Sequence, residues 1–302
     1  MLEHPLVSIM ITSYNQKDIL SKAVDSVLDQ TYKNIQIVIA DDGSTDGTQD
    51  VIHAYHQKFP TQIKPALSEQ NQGIPKNKNK GFRACDGDLI TYLDGDDYFF
   101  PEKIEKELQI FLSNPNFDIV YSNFMFVDEH HAPIKTWLDQ GVSAPQGDVF
   151  EAIFSKQFPH KTLYRNELIK SKVLHEIGYY DEHIAAYHDW DSRIRMSKGR
   201  YIGYSDYVGS AYVEDPRGIS KTTKRNRLIR EMRFVIEKNS PLLNDLPSRK
   251  KAEIIKSIET IISKKEADIN PHLFNPTSIK YLMQSGDLTY LKKVIKKSFA
   301  TH

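Results

Sequence analysis

The first hundred residues alternate short apolar segments with amphipathic segments of helical period. This alternation predicts strands that are each followed by a helix, and therefore a mainly parallel sheet with helices on both faces. The predicted strands are Leu6–Ile11, Ile35–Ala40, Ile63–Leu67 and the apolar run that ends at Asp94. The predicted helices between them are Asp18–Leu28, Thr48–Phe59 and Lys76–Ala84.

Polar clusters follow three of these predicted strands, at residues 12–15, 41–46 and 94–97. The carboxyl ends of parallel strands meet at one edge of a sheet, and ligands of such sheets bind at that edge. We therefore expect three separate segments of the chain to contribute side chains to one site.

The third cluster is the most informative about chemistry. Residues 88–97 read DLITYLDGDD, so an apolar strand ends in Asp94, Asp96 and Asp97. Because these carboxylates repel one another, we expect a compensating cation beside them. Clustered oxygen ligands suit Mg²⁺ or Mn²⁺, and a metal held by only one or two protein carboxylates usually also binds substrate phosphates. The alternative is a solvated acidic turn.

Composition excludes several classes of protein. The one cysteine, Cys85, excludes a disulfide framework and fits a reducing cytosol. No apolar stretch is long enough to cross a bilayer, and the first residues do not form a signal peptide. We therefore expect a cytoplasmic protein with one large domain, or one domain and an extension.

The zero net charge conceals an asymmetry along the chain. Residues 221–302 contain 18 Lys and Arg against 8 Asp and Glu, whereas residues 1–220 contain 22 against 32. The sequence also becomes continuously helical in pattern after residue 220. We therefore predict a boundary there, between an acidic body and a basic helical extension over 221–302.

Four ordered motifs, followed by His-Asp-Trp-Asp at 188–191, resemble the family 2 glycosyltransferases of the GT-A fold, of the bacterial surface-polysaccharide type. The motifs are VSIMITSYN at 7–15, ADDGSTDGT at 40–48, NQGI at 71–74 and YLDGDD at 92–97. The resemblance covers about residues 5–220. It implies a Rossmann-like, mixed but mainly parallel sheet, in which residues 1–100 bind a nucleotide sugar and residues 101–220 bind the acceptor and carry the catalytic base. It also implies inverting transfer with Mn²⁺ or Mg²⁺ as cofactor.

The resemblance places the donor against the first three motifs. Tyr14 would stack on the base, Thr12 would add a hydroxyl contact, Asp42 would accept the imide hydrogen of a uracil-like base, and Asp41 would lie near the ribose. The other implied donor contacts are Asn15, Asn71, Gly73, Lys78 and Asp96. The alternatives are that Tyr14 packs at the strand end, and that 41–46 forms a helix N-cap turn or a calcium loop.

The same resemblance assigns the metal and the base. Asp97 would bind the metal directly, and Asp96 would contact the ribose or reach the metal through water, while Asp94 orients the loop. The metal would neutralise charge that develops on the leaving nucleotide. Asp189 would remove the proton from the acceptor hydroxyl as that oxygen attacks the anomeric carbon. Trp190 would stack under a sugar ring or close the core.

Three positions depart from the family pattern. Lys78 replaces the usual arginine and loses its bidentate geometry, so a phosphate or ribose contact competes with a solvated helix face. His188 replaces glutamate, and it would touch the sugar or metal, shift the pH optimum, or bond locally. Residues 212–215 read YVED in place of Tyr-Arg-x-His. Asp215 would replace the histidine, or a basic residue among Arg217, Lys221 and Lys224 would hold the phosphates.

The basic extension has two candidate helices. The stripe Ile254–Ile262 favours packing on the catalytic domain. The stripe of Leu288, Leu291, Val294 and Ile295 carries lysines largely off its face, which favours peripheral contact with an anionic membrane over packing or a dimer contact. Nucleic-acid binding is not expected, since the basic stretch lacks interleaved aromatic residues.

The resemblance, together with the charge asymmetry, implies an inverting, metal-dependent transfer of one sugar from a nucleotide donor, with UDP favoured, to a saccharide or lipid-linked saccharide in surface polysaccharide synthesis. A sugar-nucleotide nucleotidyltransferase is one rival, but it should carry a glycine-rich phosphate loop after the first strand. A non-catalytic sugar- or partner-binding relative is the other rival, and it would not need Asp189.

Overall fold

The fold is built around a nine-stranded mixed sheet. The computed structural model describes residues 4–139, 141–142, 144–214 and 225–269. The strands are β1 (Val7–Ser13), β2 (Ile35–Asp41), β3 (Ile63–Leu67), β4 (Leu89–Asp94), β5 (Tyr98–Phe99), β6 (Phe117–Val127), β7 (Pro133–Thr136), β8 (Leu168–Lys170) and β9 (Tyr201–Val213). The described helices are α1 (Leu20–Leu28), α2 (Thr48–Lys58), α3 (Ile74–Arg83), α4 (Lys103–Ser113), α5 (Phe150–Phe154), α6 (Ser171–Glu176), α7 (His188–Ser197), α8 (Arg225–Asn239) and α9 (Ser248–Ile269).

The predicted parallel alternation over the first hundred residues is confirmed. The strands lie in the order β3-β2-β1-β4-β8-β6-β9-β5, with β7 paired to β6. Strands β1 to β4 pair in parallel, and β9 pairs in parallel with β6, whereas β5, β7 and β8 are antiparallel to their neighbours. The sheet is therefore mixed and mainly parallel around β1, as expected.

Hydrophobic cores fill both faces of the sheet. Along β1, Val7, Ile9 and Ile11 join one core with α1, α2 and α4, while Met10 joins the opposite core, which includes residues of α3 and α7. Successive side chains of a strand point to opposite faces, so a strand that is apolar at every position is buried on both. This explains why β1 and β2 read as continuous apolar runs.

The two described α-helices after residue 224 pack against the sheet and its other helices. Ile254, Ile258 and Ile262 of α9 are buried in the same core as Trp190 and Ile194 of α7. The predicted packing of the Ile254–Ile262 stripe is therefore confirmed. The domain boundary near residue 220 stays a prediction, because the described helices beyond it share this core.

Several predictions fall outside the described residues. These are Asp215, Arg217, Lys221 and Lys224, and the stripe from Leu288 to Ile295. Within the described residues, no helix combines the length and the apolar character that crossing a bilayer requires.

Candidate active site

The carboxyl ends of β1, β2 and β4 bring the three polar clusters together, as the sequence predicts. Thr12 lies beside Ala40 on one side and Asp94 on the other. Its hydroxyl donates a 3.1 Å hydrogen bond to Asp94 Oδ1. A Cβ at Gly95 would lie 2.6 Å from the Thr12 carbonyl oxygen. The acidic loop is thus pressed against the end of β1, and only glycine fits at this contact.

Asp41 anchors the second cluster internally. Its buried carboxylate accepts hydrogen bonds from the Ser13 hydroxyl (3.0 Å), the Ser44 amide (2.9 Å), the Ser44 hydroxyl and the Gln49 amide (2.8 Å). Four donors occupy the acceptor positions of one carboxylate. The ribose contact that the resemblance implies for Asp41 stays a prediction, and it would require one of these donors to be displaced.

Asp42 ties the second motif to the third. Its two oxygens accept 2.9 Å hydrogen bonds from the backbone amides of Gln72 and Gly73. Gly73 has a φ of +94°, a conformation that glycine adopts without strain. Each oxygen of Asp42 keeps a second acceptor position, so its predicted contact with a base stays compatible with the geometry. Asn71 is exposed at the start of this segment.

Tyr14 projects from the end of β1 with 46% of its surface exposed. The next residue, Asn15, has a φ of +51°, and its side-chain oxygen accepts a 2.9 Å bond from the Thr45 amide. Asn15 therefore shapes the turn that presents Tyr14, rather than offering that oxygen to a ligand. The exposure of Tyr14 fits stacking and not packing at the strand end.

Asp97 is buried where β4 approaches the end of β9. Its Oδ1 accepts a 2.8 Å hydrogen bond from the Val213 amide, and its Oδ2 lies 3.6 Å from Arg165 Nη1. Burial and the charge of Asp96 raise the pKa of Asp97 well above its usual range, although Arg165 opposes this. A divalent cation would reverse the balance, since a nearby positive charge favours the ionised carboxylate.

The carboxylates fit a metal that the protein holds only in part. Among the residues that the structure describes, no three His, Cys, Asp or Glu side chains form a metal cage. Asp94 faces Thr12 and Lys78, which leaves Asp96 and Asp97 as the pair suited to Mg²⁺ or Mn²⁺, with further ligands from a diphosphate and water. The expectation of a compensating cation beside these carboxylates is confirmed, because Lys78 lies beside Asp94 and Arg165 lies beside Asp97.

Lys78 bridges the acidic loop and the candidate base. Its Nζ lies 3.5 Å from Asp94 Oδ1, 3.5 Å from Asp189 Oδ1 and 4.1 Å from the centre of the Tyr92 ring. Burial lowers the pKa of Lys78, but the two carboxylates more than offset this and hold the pKa well above its usual value. The solvated-face alternative is therefore wrong for Lys78. Its predicted donor contact stays a prediction.

Asp189 begins the first turn of α7 among positive groups. Its carboxylate lies 3.5 Å from Lys78 Nζ, 3.3 Å from His188 Nε2 and 3.9 Å from Arg193 Nη1. Burial acts to raise the pKa of Asp189, but these groups outweigh it and the pKa lies far below the usual range. Asp189 is therefore ionised at neutral pH. Its Oδ1 is buried and accepts no hydrogen bond from any residue that the structure describes, whereas the side chain is 37% exposed through its other atoms.

His188 and Trp190 have local partners. His188 Nδ1 lies 2.8 Å from the Ala185 carbonyl oxygen, so this nitrogen carries the hydrogen. Burial lowers the pKa of His188, although the neighbouring carboxylate of Asp189 opposes this shift. Trp190 is buried, and its Nε1 donates a 2.9 Å bond to the Ile153 carbonyl. The structure thus places Trp190 in the core and supports local bonding at His188, while their sugar contacts stay predictions without support from position.

The sequence did not identify Arg193, whose Nη1 lies 3.9 Å from the Asp189 carboxylate. Its Nη2 donates a 2.7 Å bond to the Tyr92 hydroxyl and lies 2.9 Å from Glu167 Oε2. The available signal was the i, i+4 spacing from Asp189 on one helix.

Arg165 was also missed. Its guanidinium lies 3.7 Å from the centre of the Tyr212 ring and faces Asp97. It comes from a loop without periodic pattern, so no sequence signal marked it. Asp191 and Arg195, four residues apart on α7, form an ion pair at 2.8 Å.

Comparisons with known proteins agree with this fold. The family model described as "Glycosyl transferase family 2" matches residues 8–187. An uncharacterised glycosyltransferase of Nostoc is 37% identical over 129 residues, which cover 41% of this chain and 40% of that protein. A candidate teichuronic acid biosynthesis glycosyltransferase of Bacillus subtilis, TuaG, is 31% identical over 49% of this chain and 56% of its own length. The chain thus spans about half the length of these curated relatives.

Solved structures show the same architecture. S. aureus TarS 1-349 in complex with UDP-GlcNAc has a TM-score of 0.67 at 18% identity, covering 91% of this chain and 79% of that chain. A Pyrobaculum calidifontis mannosyltransferase in complex with GDP-Man and Mn²⁺ has a TM-score of 0.60 at 14% identity, covering 98% of this chain and 84% of that chain. The fold is therefore GT-A. Because the family model matches more than half of its residues, the chain belongs to glycosyl transferase family 2.

Proposed function

We propose that this chain is a metal-dependent inverting glycosyltransferase, which moves one sugar from a UDP-sugar to a saccharide or lipid-linked saccharide acceptor. One observation carries the proposal. Asp189, an ionised aspartate whose side chain is 37% exposed, lies at the same sheet edge as Asp96 and Asp97, and Lys78 lies between Asp189 and Asp94 of the acidic loop.

The residues divide the reaction between them. Asp189 accepts the proton of the acceptor hydroxyl while that oxygen attacks the anomeric carbon from the face opposite the nucleotide. The bond between that carbon and the diphosphate oxygen breaks, and its electron pair stays on the departing nucleotide. Asp96 and Asp97 would hold Mn²⁺ or Mg²⁺, which when bound supplies Lewis-acid stabilisation of the leaving diphosphate. Tyr14 and Asp42 position the nucleobase of the donor.

The similarity to proteins crystallised with UDP and UDP-GlcNAc favours a uridine nucleotide, although GDP-Man is bound by another structural neighbour. The similarity to TuaG favours a surface polysaccharide as product. We also propose that the enzyme acts at the inner face of the cell membrane. The basic charge of residues 221–302 supports this location.

A donor screen tests the proposal. Purified protein with Mn²⁺ should release UDP, without pyrophosphate, from one member of a nucleotide-sugar panel when a suitable saccharide is present. Proton NMR of the first product should show the inverted anomeric configuration. Pyrophosphate would instead support a nucleotidyltransferase, and silence with all donors and acceptors would support a non-catalytic relative.

The variant Asp189→Asn should lower kcat by about 10²- to 10⁴-fold, because it removes the general base. Calorimetry should show that UDP still binds. Asp206→Asn is a matched control, since this aspartate is exposed on β9. Unchanged turnover in Asp189→Asn would remove this residue from the role of base.

A further inference from the structure

A groove lies between the loop 156–161, which follows α5, and the outer surface of α9. Its volume is about 650 Å³, which is in the range of sites for small organic ligands. Its floor is held together by hydrogen bonds from Ser257 Oγ to the Ser155 carbonyl (3.1 Å) and from Gln157 Nε2 to Ser257 Oγ (3.4 Å). The groove is therefore a built contact between the loop and the helix.

The lining of this groove is strongly basic. It includes Lys156, Lys161, Lys256, Lys264 and His160. Among the lining residues that the structure describes, Glu253 is the one carboxylate, and it pairs with Arg249 at 3.0 Å. We call this surface the lysine groove. Like charges gathered in this way repel one another, so a bound anion would stabilise the arrangement.

Lys156 is the innermost of these cations. Its Nζ lies 4.3 Å from the centre of the Trp190 ring and 5.1 Å from that of Tyr187. Burial, then the charges of Lys265 and Arg193, lowers the pKa of Lys156 to about 7. The ammonium group thus occupies a place where the protein compensates its charge poorly.

The loop that presents these cations is strained. Lys156, His160 and Lys161 have φ values of +54°, +53° and +55°. Non-glycine residues in this region cost on the order of 1 kcal/mol or more each and concentrate at ligand-binding segments. Three such residues within six positions mark a loop whose conformation is held by something other than local preference.

The innermost cation of the groove lies near the candidate base. Trp190, beneath Lys156, follows Asp189 directly in α7, and the charge of Asp189 acts on Lys156. An anionic group held by Lys156 would therefore lie near the segment of α7 that carries Asp189. Residues 270–302 are themselves basic, with five lysines against one aspartate, so their charge does not complement the groove.

We propose that the lysine groove binds a phosphate group of the acceptor and so directs the acceptor hydroxyl towards Asp189. The inference rests on the proposed function for the identity of the ligand as an acceptor. The phosphate has two sources, a soluble glycan phosphodiester or a phosphate at the end of a lipid carrier, and both present the same anion to the lysines.

Competitive lysine labelling tests the site directly. The full chain is trace-acetylated with acetic anhydride at pH 7 with UDP present to fill the donor cleft, and the acetylation of each lysine is read by peptide mass spectrometry. Inorganic phosphate is compared with chloride at equal ionic strength. An anion that raises the pKa of Lys156 from about 7 to about 8 lowers its reactive neutral fraction at pH 7 from about one half to about one tenth, roughly fivefold. We expect that protection at Lys156 and weaker protection at Lys161 and Lys256, with none at Lys64, which already pairs with Asp86 at 3.0 Å.

Variants and vesicles complete the design. Lys256→Met should reduce the protection of Lys156, whereas Lys64→Met should not. Vesicles of phosphatidylcholine with polyprenyl phosphate, compared with phosphatidylcholine alone, distinguish the two sources, because only a lipid-borne phosphate protects from the vesicle. Equal labelling of Lys156 under all conditions would overturn the proposal. The same conclusion would follow if phosphate protected Lys156 equally in the wild type and in Lys256→Met. A silent donor screen with preserved protection would refute the proposed function and leave the anion site standing.

Discussion

Replacement of Arg193 by methionine should destabilise the protein by about 3–5 kcal/mol. The carboxylate of Glu167 is completely buried, and Arg193 Nη2 lies 2.9 Å from its Oε2. Two unit charges at that separation attract by about 6 kcal/mol at an effective dielectric constant of about 20. The next buried cation, Lys103, already pairs with Glu107 at 2.6 Å. The variant therefore leaves a carboxylate in the core without a counter-charge, while methionine refills much of the volume.

Urea unfolding at pH 7 measures this loss as a lower midpoint at unchanged slope. The double variant Arg193→Met/Glu167→Gln should recover most of the stability, because glutamine carries no charge. Lys106→Met is the matched control, since Lys106 forms an exposed i, i+4 pair with Glu102 at 3.1 Å and should cost less than about 0.5 kcal/mol. A loss below about 1 kcal/mol in the single variant, or no recovery in the double variant, would refute the reasoning.

Two further predictions concern the nucleotide and the base. Tyr14→Ala should weaken UDP binding by about 5- to 140-fold, from a stacking energy of about 1–3 kcal/mol, while Tyr14→Phe should retain it; equal affinities of both variants by calorimetry would exclude stacking. Lys78→Met should raise the pKa of Asp189, because the positive charge of the lysine now favours the ionised form. The acid limb of the pH–rate profile should then move to higher pH, whereas the exposed neighbour Lys76→Met should leave it unchanged; a shift to lower pH would contradict the geometry.

The parallel half of the fold could be predicted because its pattern is regular. The predicted strand Ile35–Ala40 differs from β2 by one residue, since an apolar run bounded by turn residues has few other solutions. The segment 128–160 could not be read. Its strand β7 is short and mostly exposed, and its helix α5 has five residues, so neither is long enough to show a period.

The candidate site was predictable only where chemistry follows a strand end. Asp42, Asp96 and Asp97 come directly after predicted strands, and the sheet brings them together. The contacts of Lys78 were not predictable, because its partner Asp189 lies more than a hundred residues away on another helix. A lysine that alternates with other lysines in a sequence is predicted to face solvent. Only the tertiary packing shows that Lys78 is buried.

The position of Lys78 bears on how strong a base Asp189 is. A carboxylate whose pKa lies far below the usual range is ionised, but it accepts a proton weakly. A general base becomes less efficient as its basicity decreases. The same lysine holds Asp94 at 3.5 Å, within the loop where a donor diphosphate would approach. Each new anion there competes with Asp189 for one cation. Donor binding should therefore loosen the Lys78–Asp189 pair and strengthen the base, so that Asp189 becomes effective only when there is a sugar to transfer.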